Sequence, residues 1–329
     1  MPENPETPKI KAASDTVEDI AVELIHLVRT DLHEREKPYK LQYDPGNGIP
    51  RSNCTNQIYD SIIVRDLRAC RESLSFDVNG FTVLDMESKL KPSDFYDEAR
   101  VKDVYYMELK DLLCQFFDSS RVEILEHSVR HPKRFTLMLA VMAHDSKIRK
   151  RHPQFPVSTG EDYEFLQPTS VVHTDFTENS ALEASRDVLK VDNEAYSRIM
   201  CVKYVSSTGK HLGLLLISGS VWKPLHGPVI DWPLGLCDVK SVNKERDFVA
   251  SDVVSRTGYT ENYLVYYNPE HRWYYLSNQT ASELVLFGQT DNQSDYFIGV
   301  PHAGFEAPHS ASQAKPRESI EARAFIYYE

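Results

Sequence analysis

The sequence predicts a mainly β domain, a sandwich or barrel with helical flanks, and three observations lead to this fold class. Short runs of β-forming residues separated by turn residues fill much of the chain after residue 120. Stretches with helical periodicity come before them. The composition, 41% hydrophobic and 26% charged over 329 residues, is typical of a folded soluble chain. Many short strands preceded by a few helices favour a sandwich or barrel over an α/β fold.

The N-terminal sixty residues are expected to hold a tail, a helix and a connector. Residues 1–15 are polar and contain no apolar core, which predicts a disordered tail rather than a signal sequence. Apolar residues at helical spacing between Val17 and Val28 then indicate an amphipathic helix capped by Asp15 or Thr16. Residues 37–56 are rich in Pro, Gly and Asn and indicate an extended connector. We therefore predict one domain over residues 16–329 with a helical and extended first segment, residues 16–60.

The remaining elements follow in chain order. Alternating residues from Ile58 to Arg68 are typical of a strand, and a helix is predicted over Asp103 to Phe117. Its inward face is predicted to carry Val104, Leu109, Leu112, Leu113 and Phe116. Further strands are predicted at Arg121 to Leu125, Phe135 to Val141, Ser170 to Phe176, Met200 to Val205, Leu214 to Val221, Asn262 to Tyr267, Arg272 to Leu276, Glu283 to Phe287, Tyr296 to Val300 and Ile320 to Tyr328.

Charge and cysteine usage exclude several classes of partner and site. The formal net charge is −12, which argues against binding to nucleic acid or to an anionic membrane. No apolar stretch approaches the ~20 residues that a membrane span needs, so a cytoplasmic location is expected. The five cysteines are widely spaced and include no C-x-x-C pair, which favours reduced thiols over a disulfide framework or a zinc knuckle.

The candidate chemistry begins with the segment His173-Thr174-Asp175. In a strand, residues two apart lie on the same face, so His173 and Asp175 can bind one ion. His302, after the predicted strand at Tyr296 to Val300, is the candidate third ligand. Two imidazoles and one carboxylate form the facial triad of non-haem Fe(II) oxygenases, with open positions for a 2-oxo acid and dioxygen. The alternative is a hydrogen-bonded surface pair and an unrelated loop histidine.

The C-terminal strand offers two arginines for the distal carboxylate of 2-oxoglutarate. Arg317 and Arg323 are six residues apart and therefore on the same strand face. We prefer Arg323, because the apolar residues Phe325 and Tyr327 follow it. An anchor at Arg317 would leave Glu321 in the interior, where an unpartnered charge is costly. In the alternative interpretation, both arginines are solvated surface charges.

Several motifs together resemble the asaB-type hydroxylase/desaturase group of mostly fungal enzymes. They are Trp222-Lys-Pro-Leu-His-Gly-Pro-Val-Ile-Asp-Trp-Pro-Leu-Gly-Leu-Cys-Asp, Tyr267-Asn-Pro-Glu-His-Arg-Trp-Tyr-Tyr-Leu-Ser and Pro316-Arg-Glu-Ser-Ile-Glu-Ala-Arg-Ala-Phe, with shorter matches from Val78 onward. The resemblance covers about residues 55–328. It implies a double-stranded β-helix (jelly-roll) core, dependence on Fe(II) and 2-oxoglutarate, and metal ligands at His173, Asp175 and His302.

The chain departs from the family pattern at three polar positions. Phe176 stands where the family usually has Gln, Lys223 where it has Arg, and a family Lys is replaced around Gly288. These positions are expected to face the site. Phe176 would make the pocket more apolar, which favours a terpenoid-like substrate. The predicted substrate pocket consists of Phe176, Trp222, Lys223 and Trp273, although aromatic residues in such segments more often belong to the core.

The predicted function is oxidation of a fungal secondary metabolite by hydroxylation, desaturation or related C–H chemistry. The predicted substrate is a terpenoid, meroterpenoid or polyketide. No catalytic side chain beyond the metal ligands is predicted. The alternative is a non-catalytic or weakly catalytic subunit that stabilises a homologous oxygenase, and the three departures favour it. A metal-dependent isomerase or hydrolase on the same barrel is a third interpretation. The expected partners are a small-molecule substrate and, in a dimer, a second copy or a homologous chain.

Overall fold

The computed structural model of the chain describes residues 19–119, 121–125, 146–151, 168–191, 216–256, 258–290, 299–308 and 316–327. The strands are β1 (Ile20–Leu27), β2 (Tyr39–Leu41), β3 (Asn56–Asp66), β4 (Phe81–Asp85), β5 (Arg121–Ile124), β6 (Ser146–Lys150), β7 (His173–Thr174), β8 (Leu216–Pro224), β9 (Leu234–Cys237), β10 (Phe248–Val254), β11 (Tyr259–Val265), β12 (Trp273–Tyr275), β13 (Glu283–Thr290), β14 (His302–Gly304) and β15 (Glu318–Tyr327).

The helices are few and mostly short. They are α1 (Leu67–Cys70), α2 (Phe76–Asn79), α3 (Glu98–Arg100), α4 (Tyr106–Phe117), α5 (Glu178–Glu183) and α6 (Lys244–Asp247). Short 3-10 segments lie at Asp31–Glu34, Arg71–Ser73, Pro92–Tyr96 and Val239–Ser241, and π-helical turns at Val101–Tyr105 and Ala184–Val188. Among the described residues, no helix is long and apolar enough to cross a membrane.

Within the described ranges the strands form two sheets. The nine-stranded sheet has the order β1-β3-β12-β9-β14-β7-β11-β10-β2. The six-stranded sheet has the order β4-β13-β8-β15-β5, and β6 also pairs with β15. Strands β7 to β9 and β12 to β15 alternate between the two sheets, which is the winding of a double-stranded β-helix. The predicted fold class is therefore confirmed.

The two faces of β15 show how the six-stranded sheet is buried. Its even-numbered side chains from Ile320 to Ile326 pack in one apolar cluster with Leu109 and Leu113 of α4. Its odd-numbered side chains point to the opposite side, where Phe325 packs with Phe176, which follows β7 of the facing sheet. Helix α4 thus covers the outer face, and the inner face of β15 looks into the space between the sheets. The arginines predicted from the sequence lie on this inner side.

The amphipathic helix predicted between Val17 and Val28 is wrong where the structure describes it. The chain forms strand β1 there, paired antiparallel with β3. Val22 and Leu24 are buried while Ala21 and Glu23 are exposed, an alternation with the period of a strand. The spacing of the apolar residues fits both periods, and pairing with β3 decides between them. Residues 1–18, including the predicted tail, lie outside the described residues.

Most other predicted elements are found close to their expected positions. The predicted helix at Asp103 to Phe117 appears as a π-helical turn followed by α4, although Phe116, expected inside, is 40% exposed. Strands β3, β5, β8, β11, β12, β13 and β15 overlap predicted strands. The predicted strands Phe135 to Val141 and Met200 to Val205, and most of Tyr296 to Val300, lie outside the described residues. The four described cysteines are free thiols.

Candidate metal centre

Two neighbouring strands of the nine-stranded sheet bring the predicted histidines together. His173 on β7 and His302 on β14 are opposite each other in the antiparallel register. Their ring centroids are 4.5 Å apart. The structure places His302 at the start of its own strand, whereas the sequence predicted it beyond the end of another. A separation of 129 residues in sequence is thus closed by direct strand pairing.

Both imidazoles present the same nitrogen to the centre. Nδ1 of His173 lies 2.8 Å from the carbonyl oxygen of Val171, and Nδ1 of His302 lies 2.9 Å from that of Val300. Because a carbonyl only accepts hydrogen bonds, each Nδ1 carries the hydrogen and each Nε2 carries a lone pair. Metal-binding histidines in proteins are held by partners of this kind.

Asp175 completes the set of three ligands. Its Oδ1 lies 3.7 Å from Nε2 of His173, and its Oδ2 lies 3.9 Å from Nε2 of His302. Candidate ligand atoms of the three residues all lie within 4.8 Å of one another, and among the described residues they form the one such cluster of His, Cys, Asp and Glu. The Asp175 side chain is 6% exposed. Two neutral imidazoles and one carboxylate fit a divalent transition metal such as iron.

Gln289 holds the carboxylate of Asp175 from the opposite sheet, and no sequence pattern indicates this contact. Its Nε2 donates to Oδ2 of Asp175 at 3.0 Å, and its Oε1 accepts from the Asp175 backbone N–H at 2.8 Å. The side chain is fully buried on β13. Position 289 follows an apolar run and lies 114 residues from Asp175. The contact becomes visible only when the two sheets are packed face to face.

Arg323 lies beside the candidate metal ligand. Its Nη2 is 3.5 Å from Oδ1 of Asp175 and 3.6 Å from Oε1 of Glu321. Its guanidinium carbon also lies 5.2 Å from the ring centroid of Phe176. From the sequence alone, Glu321 is expected to be an interior charge without a partner. In the structure, Arg323 supplies that partner, so Glu321 no longer argues against Arg317 as an anchor.

Arg317 lies further along the same inner face and is more deeply buried. It is 5% exposed, and its Nη1 donates to the carbonyl oxygen of Trp232 at 2.5 Å. Its guanidinium carbon lies 5.2 Å from the ring centroid of Trp222. A Cβ atom built on Gly304 would lie 3.5 Å from Nη1 of Arg317. The guanidinium therefore faces a residue without a side chain, two positions after His302 on β14.

Ser319 is a second polar residue that the sequence interpretation missed. It is fully buried, and its hydroxyl oxygen has no hydrogen-bond partner among the described residues. It follows Arg317 by two positions and therefore shares the inner face of β15. The signal available in the sequence was the spacing of Arg and Ser at alternate strand positions.

The four predicted pocket residues divide between two environments. Phe176 and Trp222 belong to apolar clusters between the sheets. Trp273 instead packs with Val172 and Ala303, which alternate with the histidines and lie on the opposite face of their sheet. Trp273, predicted to line the pocket, therefore lies on the face of the sheet opposite to the two histidines. The ring of Phe287, 4.8 Å from that of His302, supplies an apolar wall that was not predicted.

Lys223, predicted to line the pocket, lies on the other face of its strand from Trp222. On β8 it alternates with Trp222, and its neighbours Val221 and Leu225 pack in the cluster that includes α4. Burial lowers the pKa of Lys223 to about 8, while Glu108 on α4 acts to raise it. Lys223 thus lies beneath α4 on the outer face of the sheet. Its difference from the family Arg does not alter the metal centre.

Comparison with known proteins agrees with this geometry. A family model described as an oxidoreductase/YMDC permease-like domain matches residues 27–327. Hydroxylase/desaturase efuI of Hormonema carpetanum is 27% identical over 281 residues, covering 82% of this chain and 83% of the relative. Fe(II)/2-oxoglutarate-dependent dioxygenase nvfI of Aspergillus novofumigatus is 24% identical over 295 residues, covering 89% and 91%. The resemblance to hydroxylases and desaturases stated from the sequence is confirmed.

A solved structure shows the same fold. It is the iron and alpha-ketoglutarate-dependent endoperoxidase NvfI, with a TM-score of 0.73 and 20% sequence identity. The match covers 94% of this chain and 98% of that one. The jelly-roll architecture is therefore shared over nearly the whole length of both chains.

Proposed function

The chain belongs to the family described as an oxidoreductase/YMDC permease-like domain, and on this premise we propose an Fe(II)- and 2-oxoglutarate-dependent oxygenase of fungal secondary metabolism. One observation carries the proposal. His173, Asp175 and His302 converge between the two sheets of a jelly roll, with both Nδ1 atoms bonded to backbone carbonyls. Relatives named as hydroxylases, desaturases and dioxygenases support the same activity.

The donor set fits Fe(II) in a facial arrangement. The two Nε2 atoms and one Asp175 oxygen would occupy one face of an octahedron and leave three adjacent positions open. The bound iron and 2-oxoglutarate supply the oxidising chemistry, in which dioxygen is reduced, 2-oxoglutarate is decarboxylated to succinate and a substrate C–H bond is oxidised. The protein orients these groups and excludes water from them. Apolar Phe176 and Phe287 contribute to that exclusion on two sides.

We assign 2-oxoglutarate to the inner face of β15, with Arg317 rather than Arg323 on its distal carboxylate. Arg317 faces Gly304, which lies two strand residues, about 7 Å, from the ligand His302. A 2-oxoglutarate chain chelating the metal can span that separation. The unpartnered buried hydroxyl of Ser319, on the same face, would donate a second hydrogen bond. Arg323, next to Asp175, would then face the chelating end of the co-substrate.

The alternative of a non-catalytic subunit has no observation in its favour. It was motivated by departures at Phe176, Lys223 and Gly288. Lys223 lies on the outer face of its sheet. All three candidate ligands are present, and their ligand atoms lie within 4.8 Å of one another. Phe176 contacts Arg323 and makes the surroundings of the metal more apolar. This favours a terpenoid, meroterpenoid or polyketide substrate, with its reacting carbon among aromatic side chains.

The deciding experiment follows the co-substrate on the metal. Anaerobic protein supplied with Fe(II) and 2-oxoglutarate should develop the visible charge-transfer band of a chelated 2-oxo acid, and His173→Ala should abolish it. With oxygen and a metabolite of the same pathway, the purified chain should form succinate without any second protein. Absence of the band in folded wild-type protein would overturn the proposal. Turnover only after addition of a homologous chain would return the subunit interpretation.

A further inference from the structure

The strongest feature outside the assigned ligands is the buried amide of Gln289. It reaches from the six-stranded sheet and forms hydrogen bonds to both the backbone and the carboxylate of Asp175, at 2.8 and 3.0 Å. The orientation of the amide follows from its partners. A backbone N–H can only donate and an ionised carboxylate only accept, so Oε1 must face the former and Nε2 the latter.

We propose that Gln289 is the positioning residue of the metal centre, fixing the Asp175 side chain through this pair of hydrogen bonds. The inference rests on the proposed function, since it concerns the metal that the triad would bind. Two simultaneous contacts restrict both the backbone of Asp175 and the rotation of its carboxylate. The carboxylate is then held facing the two histidines before a metal arrives, so less conformational freedom is lost on binding.

The backbone of Gln289 packs against that of Gly299, which lies shortly before β14 and the candidate ligand His302. Gly299 has a φ of +105°, and a Cβ atom there would lie 2.1 Å from the carbonyl oxygen of Gln289. The next residue, Val300, donates its N–H to Gly288 at 2.9 Å, and its carbonyl oxygen accepts from Nδ1 of His302. The close contact between Gly299 and Gln289 therefore positions two residues together. They are Gln289, which holds Asp175, and Val300, whose carbonyl oxygen holds His302.

Gln279 provides a matched control. It is another buried glutamine, 3% exposed, and its Nε2 donates to the carbonyl oxygen of Glu283 at 2.9 Å. This partner, Glu283, lies at the start of β13, at the end of the strand away from Gln289. Replacing either glutamine by Met keeps an unbranched side chain of similar length and removes a buried amide. The two substitutions should lower stability alike but differ in their effect on the metal.

The test is a Co(II) titration, followed by visible absorption, of the wild-type chain and of Gln289→Met, Gln279→Met and Asp175→Ala, with urea unfolding of each. Gln289→Met should weaken Co(II) binding about 10- to 100-fold, the usual effect of losing the hydrogen-bond partner of a ligand. Gln279→Met should keep wild-type affinity and the wild-type spectrum. If Gln289→Met is poorly folded, Gln289→Asn, whose shorter amide cannot reach both atoms, should show the same loss.

The outcomes separate the two proposals. Wild-type affinity in folded Gln289→Met, or an equal loss in Gln279→Met, would overturn the positioning role and leave the metal centre intact. A wild-type chain that takes up no Co(II), or that binds it equally well after Asp175→Ala, would overturn the metal centre itself and the role of Gln289 with it.

Discussion

His173 and His302 face each other across paired strands, and each donates its Nδ1 hydrogen to the carbonyl oxygen two residues before it. The same local geometry is thus built twice, once on β7 and once on β14. In each case a backbone carbonyl oxygen selects the tautomer and helps to fix the direction of the ring. Only Asp175 requires an external partner to hold its orientation, because a carboxylate at the end of a strand retains its own rotational freedom.

The iron content of Asp175→Ala should collapse. Asp175 is the one anionic member of the candidate ligand set, so its loss leaves two neutral imidazoles for a dication. The iron content of anaerobically loaded protein, measured after desalting, should fall from about one per chain to near zero. His33→Ala, at a histidine that contacts Tyr266 instead, is the control. Unchanged iron in Asp175→Ala would remove the assignment of this site.

The sequence was most informative where one strand carries the signal. The pair His173 and Asp175 could be predicted because residues two apart share a strand face. The inner location of Arg317 and Arg323 follows from the same rule. The preference for Arg317 as the anchor did not, because it rests on Gly304 of β14 and on Trp232, which precedes β9.

Sequence patterns failed where a sheet partner decides the outcome. The apolar spacing around Leu24 fits a helix until pairing with β3 selects a strand. Lys223 and Trp273 were assigned to the pocket by residue type, but alternation along their strands puts them on the outer faces. Gln289 could not be found at all, since its role exists only through contact with the opposite sheet. Position along one strand was predictable, and position between sheets was not.

Arg317→Ala and Arg323→Ala should differ in their response to two co-substrates. Loss of a charge-assisted contact worth about 1.5–3 kcal/mol should weaken 2-oxoglutarate roughly ten- to a hundredfold in Arg317→Ala. Pyruvate has no distal carboxylate, so its affinity should be the same in Arg317→Ala and wild type. Arg323→Ala, which alters the surroundings of Asp175, should weaken both compounds.

Ser319→Ala tests the same assignment on a smaller scale. Removal of a neutral hydrogen bond worth about 0.5–1.5 kcal/mol should weaken 2-oxoglutarate roughly two- to tenfold and leave pyruvate unaffected. All affinities are measured from the anaerobic charge-transfer band in variants with wild-type circular dichroism. A larger selective loss of 2-oxoglutarate in Arg323→Ala would restore the anchor preferred from the sequence.

Acidification should destabilise the protein between pH 6.5 and about 4 through His26. Burial, and then the nearby charge of His271, lower the pKa of His26 from 6.5 to about 4. Between these values the unfolded chain binds a proton that the folded chain does not, so the folded state loses stability as the pH falls. The expected slope is about 1.4 kcal/mol per pH unit for this group alone.

Urea unfolding at several pH values from about 7 down to 5 measures this slope. Burial raises the pKa of Asp247, but its hydrogen bonds, chiefly the one from Arg246, lower it to about 2, so this carboxylate does not contribute between pH 5 and 7. His26→Phe, in a setting already formed by Tyr59 and Trp273, should flatten the dependence. An equal slope in His26→Phe and wild type would contradict the prediction.

Lys223→Met should stabilise the fold and leave the metal centre untouched. Because burial lowers the Lys223 pKa from 10.5 to about 8, the folded state disfavours the charged amine. The resulting loss of stability develops as the pH falls from 10.5 to about 8 and is complete at neutral pH. Met should recover about 1–3 kcal/mol of unfolding free energy at pH 7, because it fills the space beneath α4 without a charge.

Affinities for Co(II) and 2-oxoglutarate should equal those of the wild type, since Lys223 lies on the opposite face from Trp222. Weakened 2-oxoglutarate binding in folded Lys223→Met would contradict the placement of Lys223 away from the metal centre.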